Sequence, residues 1–277
     1  MPNFNKTIQL FIFEGNPNGR IMCELSNWNG RVYKISRNQL SEFSQRQDST
    51  YTGVYFLFGK DENNFTTVYI GEAENIISRL KQHLNDEVYW NECVVVISNN
   101  DSLNKAHVKF LENKFYLLAK DANRSKIING SIPTCSSVSE YDQAMLEEFI
   151  DNAKLLVATL GYKAFEALET QANETIKFYI TAARGANATG TIVNDGFLVL
   201  KGSVVASSTT ASMSNALKTF RSKLYSDGII DSNNTFAEDC LFSSPSYAAA
   251  VVMGRNANGK TEWKTVDHRN IHDIEAM

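Results

Sequence analysis

Two short segments that each contain a tyrosine constrain the fold of this chain more than any other feature of its sequence. Gly53-Val54-Tyr55 opens one apolar stretch, and Tyr69-Ile70-Gly71 closes a second. The residues between them, Gly59 to Asn64, combine a glycine with charged side chains and two asparagines, which is typical of a turn. The pattern predicts an antiparallel hairpin. Pairing of its strands would bring the two tyrosine rings close together on one sheet.

A stretch with helical character follows the hairpin directly. Glu72 to Leu84 is predicted to be a helix on which Arg79 and His83 share one face. Apolar side chains at Ile76, Ile77, Leu80 and Leu84 form the stripe beside that face. Taken alone, Arg79 and His83 are equally well explained as the polar flank of a surface helix. Together with the tyrosine pair, they place a guanidinium and an imidazole where a phosphate ester could be bound.

A longer helix is predicted from Asp101 to Asp121, with an apolar side and a charged side. The apolar side contains Leu103, Ala106, Phe110, Leu117 and Leu118, and the charged side contains Lys105, Lys109, Glu112 and Tyr116. The simplest explanation of the charged side is a solvated surface with ordinary Lys-Glu pairing.

One ordered set of residues resembles the motif set of the GIY-YIG nuclease family. It consists of Gly53-Val54-Tyr55, Tyr69-Ile70-Gly71, Arg79, His83, Glu112 and Asn129. The match covers about a third of the chain, roughly Thr52 to Pro133. Each tripeptide alone is a weak signal, whereas the ordered set is fairly specific. The resemblance implies a metal-dependent endonuclease that hydrolyses DNA phosphodiester bonds, built on a small antiparallel sheet flanked by helices.

The resemblance also implies roles for individual residues. Glu112 would be the carboxylate that binds Mg²⁺ or Mn²⁺, and Arg79 would clamp the scissile phosphate. One of Tyr55 and Tyr69, with a slight preference for Tyr55, would take a proton from the attacking water while the other orients it. His83 would bind phosphate or assist proton transfer.

The remaining candidates are weaker. Asn129 is similar to a late asparagine that orders the site in this family, although an asparagine before glycine is also common in turns. The cations expected to hold the DNA backbone are Lys81, Lys105, Lys109 and Arg124.

Glu72 departs from the family pattern, because many relatives have lysine or serine after the second tripeptide. An acid beside a scissile phosphate repels it unless a cation intervenes. Glu72 could therefore be an accessory metal ligand, a brake on activity or a partner of Arg79.

Four segments are predicted for the chain of 277 residues. A β-rich extension (residues 1–50), expected to be a partly separate antiparallel sheet, precedes the nuclease domain (51–166). A polar linker (167–175) leads to an α+β domain (176–277), and units of this kind follow the nuclease domain in some similar bacterial proteins. The predicted class is therefore α+β throughout.

Composition bounds the location and the partners of the protein. The chain has no apolar run long enough to span a bilayer, and its four cysteines lack metal or disulfide spacing, which favours a cytoplasmic protein without a membrane partner.

The formal net charge of -4 weighs mildly against a large nonspecific nucleic-acid binder. A nucleic-acid-binding or regulatory module with an inactive or suppressed nuclease core is thus the alternative to an active enzyme, and a protein-interaction scaffold is a third reading. Cleavage of both DNA strands would require a homodimer or sequential nicking.

Overall fold

The computed structural model describes residues 5–62, 66–85, 90–167 and 176–275. The chain divides into two compact units, residues 1–168 and 169–277, which are described separately below. Both units combine a sheet with helices, which confirms the predicted α+β class. Residues 63 and 64 of the predicted turn and residues 168–175 of the predicted linker lie outside the described residues.

The first unit is built on a seven-stranded sheet with the strand order β1-β2-β3-β6-β4-β5-β7. Its strands pair antiparallel except β7, which pairs parallel with β5. The elements are β1 (Ile8–Ile12), β2 (Ile21–Leu25), β3 (Gly30–Ser36), α1 (Leu40–Phe43), β4 (Gly53–Lys60), β5 (Thr66–Ala73), α2 (Ile76–Gln82), β6 (Glu92–Ser98), α3 (Lys105–Ala122), β7 (Lys126–Ile127) and α4 (Glu140–Thr159).

Side chains alternate between two hydrophobic cores, one on each face of this sheet. Val54, Phe56 and Phe58 of β4 pack with α3 and α4, whereas Tyr55 and Leu57 pack with α1 and α2. β4 is covered on both faces and therefore contains an almost continuous apolar run. The antiparallel pairing of β4 with β5 confirms the predicted hairpin.

The N-terminal extension is not a separate sheet, so that prediction was wrong. β3 pairs with β6 from Gly30↔Ser98 to Ser36↔Glu92, which makes the extension continuous with the central sheet. The physical reason lies in β3, where Val32, Tyr33 and Ile35 are all fully buried. A strand that buries side chains on both faces is normally found inside a sheet, with a strand partner on each side.

Two helices are shorter than predicted. Glu72 lies on β5, because that strand continues to Ala73 by pairing with Gly53 and Val54. α2 begins only after Asn75, whose side chain accepts a hydrogen bond from the Ser78 amide as an N-cap. The long helix α3 begins after the cap Asn104 and not at Asp101.

The second unit contains a four-stranded antiparallel sheet with the order β11-β10-β9-β8. Its aromatic core includes Phe197, Phe242 and Trp263. Trp263 directly follows a short helix, and its neighbour Lys264 forms an isolated β-bridge with Tyr179. The elements are β8 (Lys177–Thr181), β9 (Asn187–Val193), β10 (Gly196–Val199), α5 (Asn215–Ser226), β11 (Cys240–Phe242), α6 (Pro245–Met253), α7 (Gly259–Glu262) and α8 (Ile271–Glu275).

Across the described residues, no helix combines the length and the apolar character that a membrane span requires.

Candidate active site

A polar cavity of about 360 Å³ lies in the first unit, at the edge of the sheet formed by β5. Most residues that the sequence singled out line it. These are Tyr55, Tyr69, Glu72, Arg79, Lys105 and Glu112.

The cavity forms where the outer edge of β5 loses its strand partner. β7 pairs only with Thr67 and Val68. The Asn129 side chain then takes the place of a strand, accepting from the Ile70 amide at 3.0 Å and donating to the Ile70 carbonyl at 2.7 Å. Among the described residues, no strand pairs with this edge beyond Ile70. Because Tyr69 and Glu72 leave β5 on opposite faces, side chains from both faces of the sheet meet at this edge.

The glycines of the two tripeptides are required by close packing. Tyr55 lies directly across the hairpin from Gly71, and a Cβ at Gly71 would lie 2.3 Å from the Tyr55 hydroxyl. A Cβ at Gly53 would lie 2.5 Å from the Val96 carbonyl oxygen of β6. The glycine at position 71 thereby allows the Tyr55 ring to stack near Tyr69, with ring centroids 6.2 Å apart.

The Tyr55 hydroxyl connects an imidazole and a guanidinium. It is hydrogen-bonded to His83 Nε2 at 2.7 Å and accepts from Arg79 Nε at 3.3 Å. Arg79 Nη1 donates to Gln82 Oε1 at 2.8 Å, which fixes the plane of the guanidinium. Burial raises the pKa of the Tyr55 phenol, and Tyr69 adds to this while Arg79 opposes it. Tyr55 is therefore a neutral phenol at ordinary pH.

Glu112 of α3 is a half-buried carboxyl with a perturbed pKa. Burial raises its pKa to about 7, and the charge of Glu72 contributes in the same direction. Three nearby cations lower the pKa of Glu112, but by less than these two causes raise it. They are Lys105, Lys109 and Arg79. A bound cation would favour the charged form of this side chain.

Glu72 is paired with Lys105, and not with Arg79 as the sequence had allowed. Lys105 Nζ donates to both carboxylate oxygens, at 2.8 and 3.0 Å. Lys105 is thereby held against β5, although it is the first residue of α3.

The donor set of the cavity fits a magnesium ion. Among the described residues, no three histidine, cysteine or acidic side chains lie close enough together to hold a metal without further ligands. Mg²⁺ is commonly bound by one or two carboxylates with water and phosphate oxygens as the remaining ligands. Glu112, with Glu72 near it, is a set of this kind.

The structure separates the other predicted residues from the cavity. Lys81, Lys109, Arg124 and Asn129 do not line it, although Lys109 acts electrostatically on Glu112. Arg124 donates to the Ala167 carbonyl, and Asn129 supports β5 from its edge. Sequence reasoning missed Gln82, for which the only signal was its position one helical turn after Arg79.

Comparison with known protein families gives a match in the second unit. The model of a domain of unknown function, DUF4357, matches residues 178–275. No curated protein and no solved structure matches the chain.

Proposed function

We propose that the first unit is a metal-dependent endonuclease of the GIY-YIG type that hydrolyses phosphodiester bonds in DNA. The observation that carries this proposal is the convergence of Tyr55, Arg79 and Glu112 on one polar cavity, although they come from three different elements. His83 does not line the cavity but is hydrogen-bonded to the Tyr55 hydroxyl. A phenol–imidazole pair, a guanidinium and a carboxylate supply the three functions that such a hydrolysis needs. These are a proton acceptor, a phosphate clamp and a metal ligand.

Tyr55 and His83 act together as the proton acceptor. Because the pKa of Tyr55 is raised, a free phenolate is too rare to act as the base. The proton of the attacking water passes to the Tyr55 oxygen as the phenol proton passes to His83 Nε2, in the tautomer that leaves Nε2 unprotonated. Tyr69 orients the water from the neighbouring ring. The resulting hydroxide forms the new bond to phosphorus.

Arg79 stabilises the charge that develops on the phosphate. Its guanidinium is oriented by Gln82 and by the Tyr55 hydroxyl before substrate arrives, which lowers the cost of binding the transition state. The bond from phosphorus to the 3′ oxygen breaks, and the leaving oxygen takes a proton from solvent. Mg²⁺ held by Glu112 would supply charge stabilisation at the same phosphate.

A nicking assay on supercoiled plasmid tests this proposal. We expect nicking that requires Mg²⁺ or Mn²⁺ and that falls at least about 100-fold in Arg79→Ala and in Glu112→Ala. Lys120→Ala is the matched control, because Lys120 is an exposed cation of α3 that does not line the cavity. Full activity in Glu112→Ala would remove that residue from the site.

The second candidate function is nucleic-acid binding by a nuclease core whose activity is suppressed. The pairing of Lys105 with Glu72 favours it, since a phosphate-binding cation is then already occupied. Folded wild-type protein that binds DNA with a clear salt dependence but never nicks it with either metal would support this candidate.

A further inference from the structure

Lys105 and Glu72 form an asymmetric ion pair inside the candidate active site. The Glu72 side chain is 13% exposed, whereas that of Lys105 is 45% exposed. Glu74 Oε2 lies 3.6 Å from the same ammonium and is a weaker second partner. Because the ammonium is much the more accessible member, it is the group that can move to another anion.

The position of Lys105 in α3 favours an anionic partner. A cation at the first residue of a helix opposes the helix dipole, whose positive end lies there. In the free protein Glu72 provides the compensating charge. A nucleic-acid phosphate can provide the same charge, because it also offers several oxygens to an ammonium.

We propose that the Glu72–Lys105 ion pair is a latch, and that a substrate phosphate binds fully only when Lys105 transfers to it from Glu72. This inference rests on the proposed function and concerns the regulation of the same site. The transfer leaves a largely buried carboxylate near Glu112 without its cation, so opening the latch costs free energy. The latch therefore weakens the binding of any polyanion that does not compensate for this loss.

Binding of a fluorescent DNA duplex, measured by anisotropy over a range of salt concentrations in EDTA, tests the latch. Glu72→Gln keeps the shape of the side chain and frees Lys105. We expect it to bind DNA roughly three- to tenfold more tightly than wild type. The slope of log affinity against log salt should steepen by about 0.9, the increment for one added phosphate contact.

Glu148→Gln is the matched control, because it removes the same charge from an exposed residue of α4 that does not line the cavity. Its affinity should change by no more than about twofold, with the wild-type slope. The double variant Glu72→Gln/Lys105→Gln then decides whether the gain acts through Lys105. We expect the gain to disappear in it.

Two results would overturn the latch alone: unchanged affinity and slope in Glu72→Gln, or a gain that persists in the double variant. Both are compatible with metal-dependent nicking by wild type. Absence of salt-dependent DNA binding in all four proteins would instead overturn the latch and the proposed function together.

Discussion

At the scale of single residues, Glu112 shows a conflict between stability and the proposed role. Its pKa is about 7 in the folded chain, against an ordinary value of 4.5. At a pH between these two values, the carboxyl is ionised in the unfolded chain but still protonated in the folded chain. The free energy of unfolding therefore falls as pH rises through this window, and the loss is complete above it. A carboxyl whose only role was to stabilise the fold would have a pKa below its ordinary value.

Glu112→Gln should therefore make the protein more stable while it abolishes nicking. We expect the free energy of unfolding to rise by about 1 to 2 kcal/mol near pH 8, an amount reduced because the group is partly exposed. Near pH 4.5 the two proteins should differ much less, since the folded chain is then almost fully protonated at this carboxyl and the unfolded chain is still about half protonated. Urea unfolding at the two pH values measures the difference. Equal free energies of unfolding for wild type and Glu112→Gln near pH 8 would show that folding does not raise the pKa of this carboxyl.

At the scale of elements, the hairpin of β4 and β5 sets the geometry of the site through Gly71. The Tyr55 ring is fully buried and packs against His83, with ring centroids 5.4 Å apart. Any side chain at position 71 would push this ring, and with it the hydrogen bond to His83. Because position 71 has no side chain, the hairpin can hold Tyr55, the proposed proton acceptor, in this position.

Gly71→Ala should lower the nicking rate at least about 100-fold, because a displacement of about 1 Å is enough for a loss of that size. Overpacking should also lower the free energy of unfolding by about 1 to 3 kcal/mol. Gly130→Ala is the matched control, since a Cβ there would have no neighbour within 4 Å. Nicking rates and urea midpoints of the two variants give the comparison. Wild-type activity in Gly71→Ala would contradict the role of the Tyr55 position.

Local patterns predicted the hairpin and most of the long helix α3, but not the features that depend on distant contacts. Glu72 was expected on a helix because nothing in its own neighbourhood reveals the pairing with Val54. Leu117 was expected on the apolar side of α3, yet it is 38% exposed, since the sheet packs on a row that includes Leu111 and Phe115. The candidate site residues could be named only from their resemblance to a family.

The contacts within the site were beyond sequence reasoning for the same reason. The partner of Glu72 is Lys105, which the fold brings to it from the start of α3. Gln82 matters for the site only because it accepts a hydrogen bond that orients Arg79. Both are consequences of tertiary placement, which spacing along the chain does not specify.

At the scale of the whole molecule, the candidate site belongs to one unit. Every residue that lines the cavity lies between Tyr55 and Glu112, and the described residues of this unit bury their own hydrophobic cores on both faces of one sheet. The second unit has its own aromatic core. A compact segment with its own core is expected to fold alone.

Residues 1–167 should therefore fold independently and nick plasmid DNA. We expect one cooperative urea transition, with a free energy of unfolding of about 5 to 15 kcal/mol, as for other single domains. The nicking rate per mole should stay within about threefold of the full chain, because the groups assigned to the chemistry are all retained. The same fragment with Glu112→Gln is the control for contaminating nuclease. A folded fragment without activity would mean that the unit matched by the domain of unknown function supplies substrate binding, and the proposed division of roles would then be wrong.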